Sequence, residues 1–175
     1  RRAAGTRRRR GDAMSLALYR GVTWAAGPLV RKYLARRRAA GREDPVRFDE
    51  RMGIASAARP DGPLLWIHAA SVGESLSMLS LVQRLRAARP EIAVLMTSGT
   101  VTSAQILADR LPEGVIHQYV PVDRIPWVSR FLDHWRPDLV LWVESEFWPV
   151  LLSEIGRRRV PALLMNARIS ERSWR

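Results

Sequence analysis

The chain has 175 residues, 47% of them hydrophobic, and carries a formal charge of +12. That length can bury one ordinary core, and that composition excludes a disordered segment. There is no cysteine, which excludes disulfides, thiolate metal sites and a cysteine nucleophile.

The positive excess is almost wholly arginine, Lys32 being the only lysine. It favours anionic partners: nucleic acid, an acidic membrane surface or a phosphorylated substrate. Arg1, Arg2 and Arg7 to Arg10 crowd the amino terminus, and Arg31, Lys32 and Arg36 to Arg38 form a second cluster. Residues 1–13 read as a basic tail before Met14, where a protein-like sequence begins. The tail is either upstream of the natural start or an arm attracted to nucleic acid or membrane.

Residues 14–40 read as an amphipathic, membrane-associating segment. Arg20, Gly27-Pro28 and Arg31-Lys32 interrupt its apolar run, whereas a spanning helix needs about 20 apolar residues. On a helical projection Leu18, Tyr19, Val22, Leu29, Val30 and Tyr33 fall within an arc of roughly 120°, with Arg20 and Arg31 opposite. The stripe suits either a helix lying in a membrane interface, which Trp24 favours, or docking on the protein's own core. Residues 41–63 read as a linker ending in the loop Ala58-Arg59-Pro60-Asp61-Gly62-Pro63.

From Leu64 onward apolar runs alternate with segments of helical period. Strands are expected at Leu64–Ala69, Ile92–Thr97, Val115–Val120, Leu139–Val143 and Pro161–Met165. Helices are expected at Glu74–Ala88, Thr102–Leu111, Ile125–Trp135 and Pro149–Arg158. Continuously apolar strands spaced by helices define an α/β domain over residues 64–175, a Rossmann-like parallel sheet with helices on both faces.

No strand is followed by G-x-G-x-x-G or G-x-x-x-x-G-K-[ST], so dehydrogenase and P-loop chemistry drop away. No G-x-S-x-G elbow activates Ser71. His68, His117 and His134 lack metal-ligand spacing.

Two acidic motifs stand where strands end, the edge at which parallel sheets bind ligands. In Ala70-Ser71-Val72-Gly73-Glu74, the Ser-x-x-Glu spacing is a capping box. The same placement also puts a carboxylate on a first helical turn facing the crevice, where it can take a proton from a bound hydroxyl. In Glu144-Ser145-Glu146-Phe147-Trp148-Pro149, alternate acids share one side of an extended segment. They form a reactive pair or cap the helix that Pro149 starts.

Taken in order, further segments join these motifs: Leu18-Tyr19-Arg20, Arg51-Met52-Gly53, His68 to Glu74, Thr97-Ser98-Gly99-Thr100 and Tyr119-Val120-Pro121-Val122-Asp123. They continue through Glu144 to Pro149 and Asn166-Ala167-Arg168-Ile169-Ser170-Glu171-Arg172-Ser173. This ordered set resembles the 3-deoxy-D-manno-octulosonic acid (Kdo) transferases of lipopolysaccharide assembly.

The resemblance implies the amino-terminal half of a GT-B glycosyltransferase that passes Kdo from CMP-Kdo to a lipid A precursor, lipid IVA. It implies Glu74 as proton acceptor and Glu144 as transition-state stabiliser, with Ser71, Gly73, Thr97, Thr100, Glu146, Arg168 and Ser170 as acceptor-binding candidates. No cofactor or metal is expected, and the CMP-Kdo donor is expected mainly on a carboxyl-terminal domain outside this chain, so that this chain alone is inactive. An anionic membrane at the cytoplasmic face of the bacterial inner membrane is the expected partner surface, with no nucleic acid. The rival readings are a non-catalytic basic module binding nucleic acid or anionic membrane, and an enzyme of the same fold acting on a soluble nucleotide sugar.

Overall fold

The computed structural model describes residues 2–143 and 147–165, with side chains from residue 14 onward. Five parallel strands form one sheet: β1 Leu64–Ala69, β2 Ala93–Ser98, β3 Val115–Tyr119, β4 Leu139–Val143 and β5 Ala162–Met165. Six helices accompany it: α1 Arg2–Ala25, α2 Gly27–Ala39, α3 Val72–Ala88, α4 Val101–Ala108, α5 Ile125–Trp135 and α6 Pro149–Arg157. The α/β alternation expected from Leu64 onward is present: β1, β4 and α5 have the expected bounds and the other elements differ by one to three residues.

Strand order is β3-β2-β1-β4-β5, so the chain steps outward from β1 in one direction and then returns to add β4 on its other side. That reversal falls between β1 and β4, and the carboxyl ends of the strands at such a reversal are where open α/β sheets bind ligands. Ala69 is paired with Val143 there, so the strand preceding Ala70 to Glu74 and the strand preceding Glu144 end side by side.

The pleat of β1 divides the interior in two. Leu64 and Trp66 point to a core with Phe131, Leu132 and Trp135 of α5 and Val150, Leu151 and Ile155 of α6. Leu65, Ile67 and Ala69 point the other way, to Met78 and Val82 of α3 and Leu107 of α4. Strands buried on both faces read as unbroken apolar runs for this reason. Trp66 and Phe131 sit at 4.9 Å between ring centroids and are both fully buried. Each large side chain so placed contributes about 2–3 kcal/mol of burial.

The sequence reads residues 41–63 as a linker, but they form a packed clasp over edge strand β3. Glu50, 1% exposed, accepts the Tyr119 N–H at 2.7 Å and a two-pronged contact from Arg47, with both bonds at 2.9 Å. Arg47 also donates to the His117 carbonyl at 2.6 Å, and Arg51 donates to the Val120 carbonyl. The edge strand's polar groups are thus covered rather than left to pair with another chain. At the end of this clasp Gly53 has φ 77°, and a Cβ there would lie 2.0 Å from the Trp127 carbonyl oxygen. Only glycine fits.

Helix α1 extends back through the segment read as a tail and ends at Ala25, with Pro28 at the start of α2. No helix among the described residues is long and apolar enough to cross a membrane. The amphipathic pattern is turned outward. Arg20 pairs with Glu154 of α6 at 2.8 Å, and Tyr19 donates to Asp123 at 3.1 Å. Meanwhile Met14, Leu18, Val22, Trp24, Leu29 and Tyr33 are all exposed, Leu29 by 71%.

Candidate functional site

Ser71 follows β1 in extended conformation and caps α3: its Oγ accepts the Glu74 N–H at 3.3 Å. Glu74 Oε2 returns to the Ala70 N–H at 2.7 Å and the Ser71 N–H at 3.4 Å. The capping box is therefore formed, and it holds the carboxylate at the positive end of a helix at the carboxyl edge of the sheet. Its second oxygen, Oε1, has no protein partner among the described residues. One half of the group is anchored and the other remains free to accept a proton from a bound hydroxyl.

Gly73 lies in the same first turn, and a Cβ built there would meet nothing within 4 Å. The turn is bare on its outer side without any packing reason. Thr100 caps α4, its Oγ1 accepting the Ser103 N–H at 3.1 Å, and is exposed at the end of β2. Ser71, Gly73, Glu74 and Thr100 thus line the carboxyl edge of the sheet.

Thr97 does not, which corrects the expectation that it contacts a ligand. It is fully buried, accepts the Trp66 Nε1–H at 2.9 Å and lies 2.9 Å from His68 Nδ1. It shares the face of Leu95 on β2, and Trp66 and His68 of the neighbouring strand cover it there. Glu144, Glu146, Arg168 and Ser170 lie outside the described residues.

Thr97 Oγ1 thus joins the Trp66 indole N–H and His68 Nδ1, while His68 Nε2 is buried with no hydrogen-bond partner among the described residues. Burial, reinforced by the Arg51 charge, pushes the pKa of His68 down to about 3. It is a neutral core histidine with aromatic neighbours, Trp142 at 4.4 Å and Trp148 at 6.5 Å between ring centroids.

Sequence reasoning gave Asp123 no role, and it organises much of this region. It accepts the Val150 N–H at 3.0 Å, the Leu151 N–H at 2.8 Å and the Tyr19 hydroxyl at 3.1 Å. Helix α6 has no side-chain cap of its own, so Asp123 supplies it from across the sheet edge. Burial, then the Asp123 charge, raises the Tyr19 phenol to about 12. The signal was present in sequence: Asp123 is an acid just after a strand, as Glu74 is.

Beside it a cavity of about 460 Å³ opens between α1, the β3–α5 connection and the start of α6. Tyr19, Val22, Val30, Asp123, Phe147 and Trp148 line it. Its apolar wall continues into the exposed row on α1, so a ligand with an apolar part could lie across both. Among the described residues no group of acids, histidines or cysteines could hold a metal ion.

Residues 46–175 match the family described as 3-deoxy-D-manno-octulosonic-acid transferase (kdotransferase). The chain is 36% identical over 158 residues to a probable mitochondrial 3-deoxy-D-manno-octulosonic acid transferase of Arabidopsis thaliana, covering 90% of this chain and 35% of that protein. It is 42% identical over 134 residues to the 3-deoxy-D-manno-octulosonic acid transferase of Rickettsia bellii, covering 77% and 32% respectively. With that of Haemophilus influenzae it shares 35% identity over 130 residues, covering 73% and 30%. The chain thus spans about a third of the length of these curated relatives.

Proposed function

Because this chain belongs to the 3-deoxy-D-manno-octulosonic acid transferase family, we propose that it forms the acceptor-side domain of an enzyme transferring Kdo from CMP-Kdo to lipid IVA. Glu74 is the general base in this reading. The acceptor hydroxyl attacks the anomeric carbon of Kdo, the bond to the CMP phosphate breaks with its electron pair leaving on CMP, and Glu74 takes the hydroxyl proton. A positioned carboxylate in this role contributes typically about 10²–10⁴ in rate. The observation that carries the reading is the state of Glu74, with Oε2 tied to two backbone N–H groups and Oε1 without a protein partner.

Glu144 is proposed to stabilise the transition state, and Ser71, Gly73, Thr100, Glu146, Arg168 and Ser170 to contact the acceptor. The donor is held mainly by a carboxyl-terminal domain beyond the residues of this chain, and this chain alone does not turn over. The outward row of Met14, Leu18, Val22, Trp24, Leu29 and Tyr33 rests on an anionic membrane surface, at the cytoplasmic face of the bacterial inner membrane. A soluble helix would turn that row inward. The test is incubation of the natural full-length product with CMP-Kdo and lipid IVA, with mass spectrometry of the lipid. One or more added Kdo masses are expected, and an unmodified lipid together with intact donor would refute the assignment.

A further inference from the structure

We infer that the elbow between α1 and α2, together with the first turn of α5, is a binding site for the phosphate group of an anionic lipid head group. Gly27, Pro28, Arg31, Arg124, Pro126 and Arg130 are among the residues lining a cavity of about 340 Å³ there. Three arginines line it, and among the described residues none of the three is paired with a carboxylate.

Arg124 is the fixed element. It is 7% exposed, donates from Nε to the Thr23 carbonyl at 2.7 Å and from Nη2 to the Trp24 carbonyl at 2.8 Å, and lies 4.5 Å over the Trp127 ring. Its Nη1 has no acceptor among the described residues, and the guanidinium packs on Gly27, where a Cβ would lie 2.3 Å from Nη2 and 3.2 Å from Nη1, so the glycine is what admits it to the cavity wall. Arg130 spends one donor on the Met52 carbonyl at 2.9 Å, and Arg31 is exposed. The amino ends of α2 and α5 also border the cavity, and neither has an acid in its first turn. Burial, then the neighbouring Arg31 charge, holds the Arg124 pKa below its ordinary value.

The carbonyls closing α1 offset the Arg124 charge only in part, and three cations beside two positive helix ends favour an anion among them. Several guanidinium donors converging from different sides suit a tetrahedral phosphate. Exposed Trp24 and Leu29 flank the elbow on its outer side, 63% and 71% exposed, which places apolar side chains next to the cations as a lipid head group and its acyl chains require. The site deepens the membrane-surface part of the proposed function and rests on it.

The test is flotation of the full chain with neutral phosphatidylcholine vesicles and with vesicles also containing phosphatidylglycerol. An Arg31→Gln/Arg130→Gln pair is compared with Arg84→Gln/Arg110→Gln, which removes the same charge from exposed positions on the α3–α4 side. The elbow pair should lose about 30-fold in partitioning onto anionic vesicles, from about 1 kcal/mol per cation at the surface, and the control pair less than about 3-fold. Equal losses for the two pairs, or none for the elbow pair, overturn the site and leave the membrane reading standing. No vesicle binding by the wild type overturns the membrane reading as well. If that result came with saturable amide shifts at Gly27 and Trp127 on adding inorganic phosphate, the ligand would be a soluble anion and the lipid source wrong.

Discussion

Replacing Asp123 by alanine tests how the amino-terminal helices and α6 are tied to the sheet edge. The carboxylate accepts two buried backbone N–H groups, from Val150 and Leu151, and the Tyr19 hydroxyl. Leaving a buried N–H without an acceptor costs about 1–3 kcal/mol each, and loss of the anion at a helix amino end adds about 0.3–2 kcal/mol. Tyr19 is 38% exposed and turns to water at little cost. Asp123→Ala should therefore destabilise by about 3–5 kcal/mol, a large share of the 5–15 kcal/mol available to a domain. Asp123→Asn keeps one acceptor and should cost about 2 kcal/mol.

Urea denaturation gives the total, and amide hydrogen exchange places it. The Val150 and Leu151 amides should exchange at least about 50-fold faster in Asp123→Ala, because α6 opens locally before the sheet does. Tyr19→Phe should cost about 1 kcal/mol in the wild type and close to nothing in the Asp123→Ala background, a coupling that only direct contact produces. Loss of less than about 1 kcal/mol with both amides still protected would refute the bridging role.

Further predictions follow from the same contacts. His68 and His117 have pKa values pushed down to about 3 and about 4 from the ordinary 6.5, chiefly by burial. Between those limits the unfolded chain binds more protons than the native one. Stability therefore falls as pH drops through 6.5, by about 2 kcal/mol for each histidine at pH 5; a denaturation midpoint that does not move between pH 7.5 and 5 would contradict this. Thr97→Val should lose about 2–4 kcal/mol by stranding the Trp66 N–H and His68 Nδ1, with Thr97→Ser restoring most of it in the same urea titration. Gly53→Ala forces a Cβ to within 2.0 Å of a backbone oxygen at φ 77° and should cost at least about 2–3 kcal/mol, read as a melting temperature lower by about 4–12 °C. Gly73→Ala meets no atom within 4 Å and should hold or raise stability by up to about 1 kcal/mol. If the bare turn contacts the acceptor, the same change raises its KM.

The sheet was legible because a parallel strand covered on both faces must be largely apolar: β4 is so at every position, and β1 and β2 depart only at His68 and at Thr97-Ser98. Helix starts shifted for local reasons: α3 begins at Val72 rather than Glu74 because Ser71 is already the cap, and Glu74 is its third residue. The place of Glu74 on the first turn of α3 followed from the Ser-x-x-Glu spacing after β1. Other features depended on contacts between distant segments. Nothing near Glu50 in sequence says that its carboxylate will cover Tyr119 N–H on an edge strand. Thr97 ends an apolar run and looks like an edge residue, but Trp66 and His68 on the neighbouring strand cover it. On α1 the polar face was legible and its direction was not, because Arg20 finds its partner, Glu154, in a helix more than a hundred residues away.

The claim that Glu74 is the base is tested most directly by single-turnover Kdo transfer at saturating CMP-Kdo and lipid IVA, comparing wild type with Glu74→Gln in the natural full-length product. Glutamine can keep its carbonyl on the Ala70 and Ser71 N–H groups, which amide exchange at those two positions verifies, but it cannot accept a proton. With the cap intact, the rate should fall by about a hundredfold or more. A rate within about threefold of wild type, with the cap intact, would leave Glu74 as a capping residue and contradict the mechanism.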